Sequence, residues 1–241
     1  MPERTRHDQT GERVAEGHGS GVGVGASSGS GSGSGSGAAA GPTGRLVLAS
    51  ASPRRLELLR GAGFDPDVEA ADIDDGSLVL GDVGAAATAT SLAYFKARRV
   101  AALRRRRGAS PRWILAADTV CERDGAVLGK PADQAHAREM IRSLASRRHG
   151  VLTGWCLLSP DAGVRLGLAR ASVEIGSIPA EELERFLAED RWKGKAGGYN
   201  LPEVVVRGWP VRCDGDEHAV VGLPIREIAP ILREVLGGSP R

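Results

Sequence analysis

Two carboxylates, Asp75 and Asp118, three lysines, Lys96, Lys130 and Lys195, and the adjacent pair Arg54-Arg55 stand beside apolar runs, small-residue turns or glycines. Ser50 and Ser52 place hydroxyls just ahead of the two arginines. Acids next to bases at such positions point to a divalent metal and a polyphosphate. A hard cation such as Mg2+ binds carboxylate, water and phosphate oxygens together, while cationic side chains neutralise a departing pyrophosphate. Taken singly, each has an ordinary reading: loop lysines are solvated, Asp74 and Asp75 form a polar strand end, and Asp118 caps a turn.

The elements that must position these residues are legible in outline. Leu46-Val-Leu-Ala is a short apolar run that turns on Ser50-Ala-Ser52 and re-emerges as a helix, with Ser52 as N-cap, Pro53 at the first helical position and Gly61 as the stop. Arg54 and Arg55 then lie in the first helical turn, where a cation opposes the helix dipole by ~0.3–1 kcal/mol and a bound anion would offset that cost. The alternative is an ordinary capped helix with two solvated arginines. Val68 to Ile73 alternates as a strand delivering Asp72, Asp74 and Asp75 to its end, and a helix carrying Lys96 follows over about 88–104. Trp113 to Ala117 is a continuous apolar run of the kind found in a strand covered on both faces, ending at Asp118-Thr119.

Asp124-Gly125 marks a tight hairpin before Gly129-Lys130-Pro131, and Asp133 caps a helix with Ala137, Met140, Ile141 and Leu144 as its stripe. Strands are expected at 151–158 and 166–175, a helix at 179–189, a basic glycine-rich loop at 193–199, strands at 204–206 and 211–213, and a last helix through Ile228, Ile231, Leu232 and Val235. The fold class is α/β with a mixed sheet.

Of 241 residues, 41% are hydrophobic and 26% charged, as in a globular protein, but the 34 glycines are unevenly spread. Gly19 to Gly37 alternates Gly with Ser or Val, so residues 1–44 are read as a disordered tail, 45–236 as the folded domain and 237–241 as a C-terminal tail. No signal-peptide core or membrane-length apolar run occurs, which predicts a cytoplasmic protein without a membrane partner. Cys121, Cys156 and Cys213 have no metal or disulfide spacing. A net charge of +2 does not argue for nucleic acid, and Arg104 to Arg107 falls at a helix C-terminus, where cations are favoured.

Together, Leu48-Ala-Ser-Ala-Ser-Pro-Arg-Arg55, Ala117-Asp118-Thr119, Gly129-Lys130-Pro131, His149 before Val151-Leu-Thr153, Lys195-Ala-Gly-Gly-Tyr199 and Gly222-Leu-Pro224 resemble the Maf family of nucleoside triphosphate pyrophosphatases, collinearly over 45–236. The resemblance implies a fold similar to the inosine triphosphate pyrophosphatases, with two lobes around a curved mixed sheet and the site in the groove. It implies hydrolysis of a nucleoside triphosphate to monophosphate and pyrophosphate with Mg2+ or Mn2+. Asp118 matches the family's proton acceptor. Ser50, Ser52, Arg54 and Arg55 would hold phosphates, and Lys96, Lys130 and Lys195 match its phosphate-facing lysines. Asp75 stands where the family usually has Glu and, with Asp118, would meet the metal.

Arg54 and Thr119 match the branch similar to dTTP and UTP pyrophosphatases, whereas the 7-methyl-GTP branch carries Trp and Gln there. The third specificity position departs, since Pro202 replaces the branch's Gln and offers no side-chain hydrogen bond. Asn200 and Glu203 are the polar neighbours available instead. Modified nucleotides are the other expected substrates. Two further readings stand beside the enzyme: a regulatory nucleotide-binding protein of cell division or septum control, and a nucleic-acid-binding protein using Arg104 to Arg107. A homodimer is the one assembly considered.

Overall fold

The computed structural model describes residues 46–73 and 83–237; Asp74 and Asp75 lie outside the described residues. The fold is built on a mixed sheet whose three long strands, β3 (Trp113–Arg123), β5 (Arg147–Leu158) and β6 (Val164–Ile175), form an antiparallel meander. Short strands complete it: β1 (Leu46–Leu48), β2 (Asp67–Val68), β4 (Ala126–Leu128) and β7 (Val211–Gly215). The order is β2-β1-β3-β5-β6-β7, with β1 parallel to its neighbours β2 and β3, and β4 paired to β3.

Helices cover both faces, which explains the unbroken apolar run in β3. On one face lies α2 (Ala85–Arg106), longer at both ends than the sequence predicts. It comes unusually close because small residues meet there: a Cβ on Gly154 of β5 would sit 2.4 Å from the Ala89 backbone of α2. Ala93, Ala97 and Val100 then pack on Ile114, Ala116, Cys156 and Leu158.

The opposite face carries two separate cores. Helices α1 (Pro53–Gly61) and α7 (Ile225–Gly237) cover Leu115, Ala117, Trp155 and Leu157. Helices α3 (Gln134–Leu144), α4 (Ala180–Ala188) and α5 (Leu201–Val206) cover Cys121, Val151, Val173 and Ile175. Each buried Leu, Ile or Phe in these cores contributes ~1.5–3 kcal/mol. Between the cores, in register across β3 and β5, stand Thr119 and Thr153. A polar cross-strand pair thus divides this face into two lobes. The short α6 (Glu217–Val221) sits over this seam.

Three sequence expectations are corrected. The strand predicted to end at Ala117 continues to Arg123, because β5 pairs with it from Ile114 through Glu122, so Asp118 lies inside a strand. The strand expected over Val68 to Ile73 shrinks to Asp67–Val68, both exposed. Val204 to Val206 is helical: Pro202 and Glu203 set a helix start, Val204 is fully buried, and Val206 is left 88% exposed, so tertiary packing overrides valine's preference for strands. The predicted cap of α3 is present, with Asp133 Oδ1 accepting from the His136 backbone N–H at 2.8 Å. No helix among the described residues is long and apolar enough to cross a membrane, and all three cysteines are free thiols.

Candidate active site

One edge of β3 is fully paired to β5, so β1 and β4 must share the other. Strand β1 pairs with residues 113–115 and β4 with residues 121–123, leaving Ala116 to Val120 without a strand on that edge. Side chains alternate across a strand, so Asp118 and Thr119 leave this gap in opposite directions. Asp118 faces α2 and Thr119 faces the seam between the lobes.

On the α2 side, Lys96 Nζ donates to Asp118 Oδ1 at 2.5 Å, and the two side chains are only 12% and 8% exposed. A carboxylate inside a strand is costly to bury unless it is paired, and α2 supplies the partner from the helical face that packs on Gly154. Asp118 is opposite Gly154 in the β3–β5 register, so the small residue that admits the helix also sets the reach of Lys96.

On the seam side, Ser50 leaves the end of β1 and its Oγ accepts from the Ser52 backbone N–H at 3.2 Å and from Arg55 at 3.0 Å. The Ser52 hydroxyl makes no cap hydrogen bond to α1, contrary to the expectation for an N-cap. Arg55 also donates to the Gly222 carbonyl at 2.8 Å and to Thr119 Oγ1 at 3.4 Å. Gly222 has φ +128, and a Cβ there would lie 3.2 Å from Arg55 Nε, so both conformation and close approach favour glycine. Thr153, fully buried, donates to the Ala219 carbonyl at 2.7 Å and lies 2.8 Å from Thr119 Oγ1. A hydroxyl has one proton, so the order is fixed: Arg55 donates to Thr119, Thr119 to Thr153, and Thr153 to Ala219.

Arg54, one residue earlier on α1, turns instead to a cavity of about 710 Å3 between the lobes. Leu58 and Ala62 of α1, Leu201, Pro202 and Val205 of α5, Cys213 of β7 and His218 of α6 also line it. Arg54 and Pro202, two of the positions singled out for specificity, therefore share one cavity, while Thr119 is joined to Arg55 beside it.

Lys195 Nζ donates to Glu203, with side chains 12% and 17% exposed. Lys130 is exposed on the loop after β4. The two lysine loops are neighbours, since Gly197 N–H donates to the Gly129 carbonyl at 3.1 Å. His149, buried in β5, meets the Tyr199 hydroxyl through Nε2 at 2.7 Å and ties the end of the Lys195 loop to the sheet. Burial pushes the His149 imidazole down to about 4, and raises the Tyr199 phenol well above its usual value. Arg104, the first of the basic cluster, is taken up by Glu69 and the Ser110 carbonyl.

Sequence reasoning missed the roles of Thr153, Gly154 and Glu203. The first had a faint signal, a threonine at an inward position of an apolar strand; the other two depend on what packs opposite.

Residues 45–235 match the family model described as Maf-like protein. The dTTP/UTP pyrophosphatase of Mesorhizobium japonicum is 36% identical over 190 residues, covering 78% of this chain and 90% of the relative. That of Caulobacter vibrioides is 39% identical over 195 residues, covering 80% and 96%. Among solved structures, a HAM1 protein from Coxiella burnetii aligns with a TM-score of 0.43 at 16% identity, covering 78% of this chain and 98% of that one. A family match over most of the chain, and relatives this similar across nearly their whole length, place the protein in the Maf family.

Proposed function

We propose that this chain is a nucleoside triphosphate pyrophosphatase, releasing nucleoside monophosphate and pyrophosphate from dTTP, UTP or modified nucleotides of that kind. Residues 45–236 form the catalytic unit. The observation that carries the reading is a buried Asp118 carboxylate, paired to Lys96, at the one stretch of the β3 edge that neither β1 nor β4 occupies. The relatives are dTTP/UTP pyrophosphatases, which supports the same substrate class here.

In this reading Asp118 accepts a proton from the water that attacks the α-phosphorus. The bond to the bridging oxygen breaks and pyrophosphate leaves with its electrons. Ser50, Ser52, Arg54 and Arg55 hold phosphate oxygens at the start of α1, and Lys96, Lys130 and Lys195 neutralise the growing charge. Arg54, Thr119 and Pro202 face the nucleoside. The Pro202 ring gives the cavity an apolar patch where an amide would read a base edge, so base choice falls to Arg54 and Thr119. The hydrogen-bond order at the seam leaves Thr119 only an acceptor lone pair to offer.

A divalent metal, Mg2+ or Mn2+, fits this chemistry. Among the described residues no group of three or more His, Cys, Asp or Glu forms a cage, and Mg2+ needs only one or two carboxylates when substrate phosphates and water complete its shell. Asp118 and Asp75 would hold it. When bound, it would polarise the phosphoryl oxygens and offset their charge.

A panel of canonical and modified nucleoside triphosphates, with and without Mg2+ or Mn2+ and with pyrophosphate as readout, tests the proposal. Metal-dependent release from dTTP and UTP at the highest rates is expected. Orthophosphate as the product, or no turnover of any nucleotide, would contradict it.

A further inference from the structure

We propose that Glu203 is the positioning residue for Lys195, the carboxylate that aims this lysine's ammonium at the triphosphate; the inference rests on the phosphate-binding role of Lys195 given above. Lys195 leads into the turn at Ala196–Gly198, where Gly197 and Gly198 both have positive φ, and its four-carbon side chain has many rotamers of its own. Its Nζ is held by one Glu203 oxygen, and the other Glu203 oxygen lies 3.0 Å from Arg191 Nε. That second oxygen is buried and makes no hydrogen bond, so the carboxylate is balanced by two cations rather than by backbone donors.

The arrangement has a direction. Lys195 and Arg191 converge on a single carboxylate, and without it two like charges would face each other at short range, the Lys195 ammonium buried and the Arg191 guanidinium half exposed. Lys195 would then turn away from its present position. With it, one of the three ammonium protons is engaged and two remain to meet phosphate oxygens. Placement on α5 is also telling. Glu203 follows Pro202, the residue that replaces the expected glutamine, and it is turned to Lys195 and Arg191 rather than reading a base in that residue's stead. A surface ion pair contributes little to stability, but this one is mostly buried, and its loss alters where a binding group stands.

Steady-state kinetics on dTTP separates this role from a purely structural one. Losing the placement of a charge-assisted bond predicts that Glu203→Ala raises KM ~tenfold while kcat changes less than ~threefold. Glu203→Gln keeps an oxygen that accepts from Lys195 but loses the charge, and its KM should rise only ~threefold. If Glu203 acts through Lys195, the double variant Lys195→Ala/Glu203→Ala has the KM of Lys195→Ala alone. A wild-type KM in Glu203→Ala, with Lys195→Ala impaired, overturns the inference and leaves the phosphate-binding reading standing. Multiplying effects in the double variant also overturn it. A wild-type KM in Lys195→Ala refutes the reading of Lys195 itself, and the inference with it. Should Glu203→Ala fail to fold, Glu203→Gln decides: an unchanged KM overturns the proposal.

Discussion

Lys96 Nζ and Asp118 Oδ1 stand 2.5 Å apart across the interface of α2 and β3, and each is the other's answer to burial. Removing one member of such a pair takes a buried counter-charge from the other. Lys96→Met should therefore destabilise the protein by about 3 kcal/mol, and the double variant Lys96→Met/Asp118→Asn should recover most of that loss without recovering turnover. Chemical denaturation of the three proteins checks this. A double variant no more stable than Lys96→Met would show that the pair is not what couples the helix to the strand.

Gly154 sits opposite Asp118, and any Cβ there collides with the backbone of Ala89. Helix α2 would have to lift from the sheet, taking Lys96 with it. Gly154→Ala is expected to cost ~1–3 kcal/mol and to lower kcat as well, since the displaced helix carries Lys96, the lysine proposed to face the phosphates. Melting and turnover on one sample test it, and normal values for both would contradict the close packing described.

At the seam, Thr153→Val keeps the shape of the side chain but removes both its donor to Ala219 and its acceptor for Thr119. The Ala219 carbonyl and the Thr119 hydroxyl then lose their fixed partner, at a cost of ~1–3 kcal/mol. The Thr119 hydroxyl is also released to rotate and donate. The ratio of kcat/KM between UTP and CTP should change in Thr153→Val, because the two bases present opposite hydrogen-bonding edges. An unchanged ratio would remove Thr119 from base recognition.

The buried His149 gives a pH signature. Its imidazole titrates near 4 in the folded protein, against about 6.5 in the unfolded chain, because burial disfavours the charged form. Above pH 6.5 both states are neutral and this group costs nothing. As pH falls from 6.5 toward 4, the unfolded chain binds a proton that the folded one does not, and stability drops by up to ~3 kcal/mol. Wild type should lose melting temperature faster over that range than His149→Gln. Parallel curves would place the acid sensitivity elsewhere.

The strand, turn and helix from Leu46 to Gly61 could be read directly, because Pro53 and the apolar spacing act within one local segment, although the helix runs through Gly61 and the left-handed glycine that ends it is Gly63. So could the presence of a charge, Asp118, directly after an apolar run. Its setting could not: the length of β3 is decided by β5, whose paired residues lie far along the chain, from Glu122 opposite Gly150 to Ile114 opposite Leu158. The error at Val204 to Val206 is of the same kind, since local preference favoured a strand and the burial of Val204 produced a helical turn. The lysines were recognisable as a set by their motifs. What holds each one, Asp118 for Lys96 and Glu203 for Lys195, emerges only from the folded arrangement. Asp75 stays where the sequence left it, outside the described residues.

Asp118→Asn offers the most direct measurement. The substitution keeps shape and hydrogen-bonding capacity but removes the charge and the basicity that proton abstraction requires, and it lowers the melting temperature because the buried Lys96 ammonium loses this counter-charge. Pyrophosphate release and thermal melting are followed on the same purified sample, with dTTP as substrate and Mg2+ present. A positioned proton acceptor contributes ~10²–10⁴-fold, so kcat should fall by about that factor in a protein that remains folded and still binds nucleotide. Near wild-type turnover from folded Asp118→Asn would contradict the assignment of Asp118 as the group that activates the water.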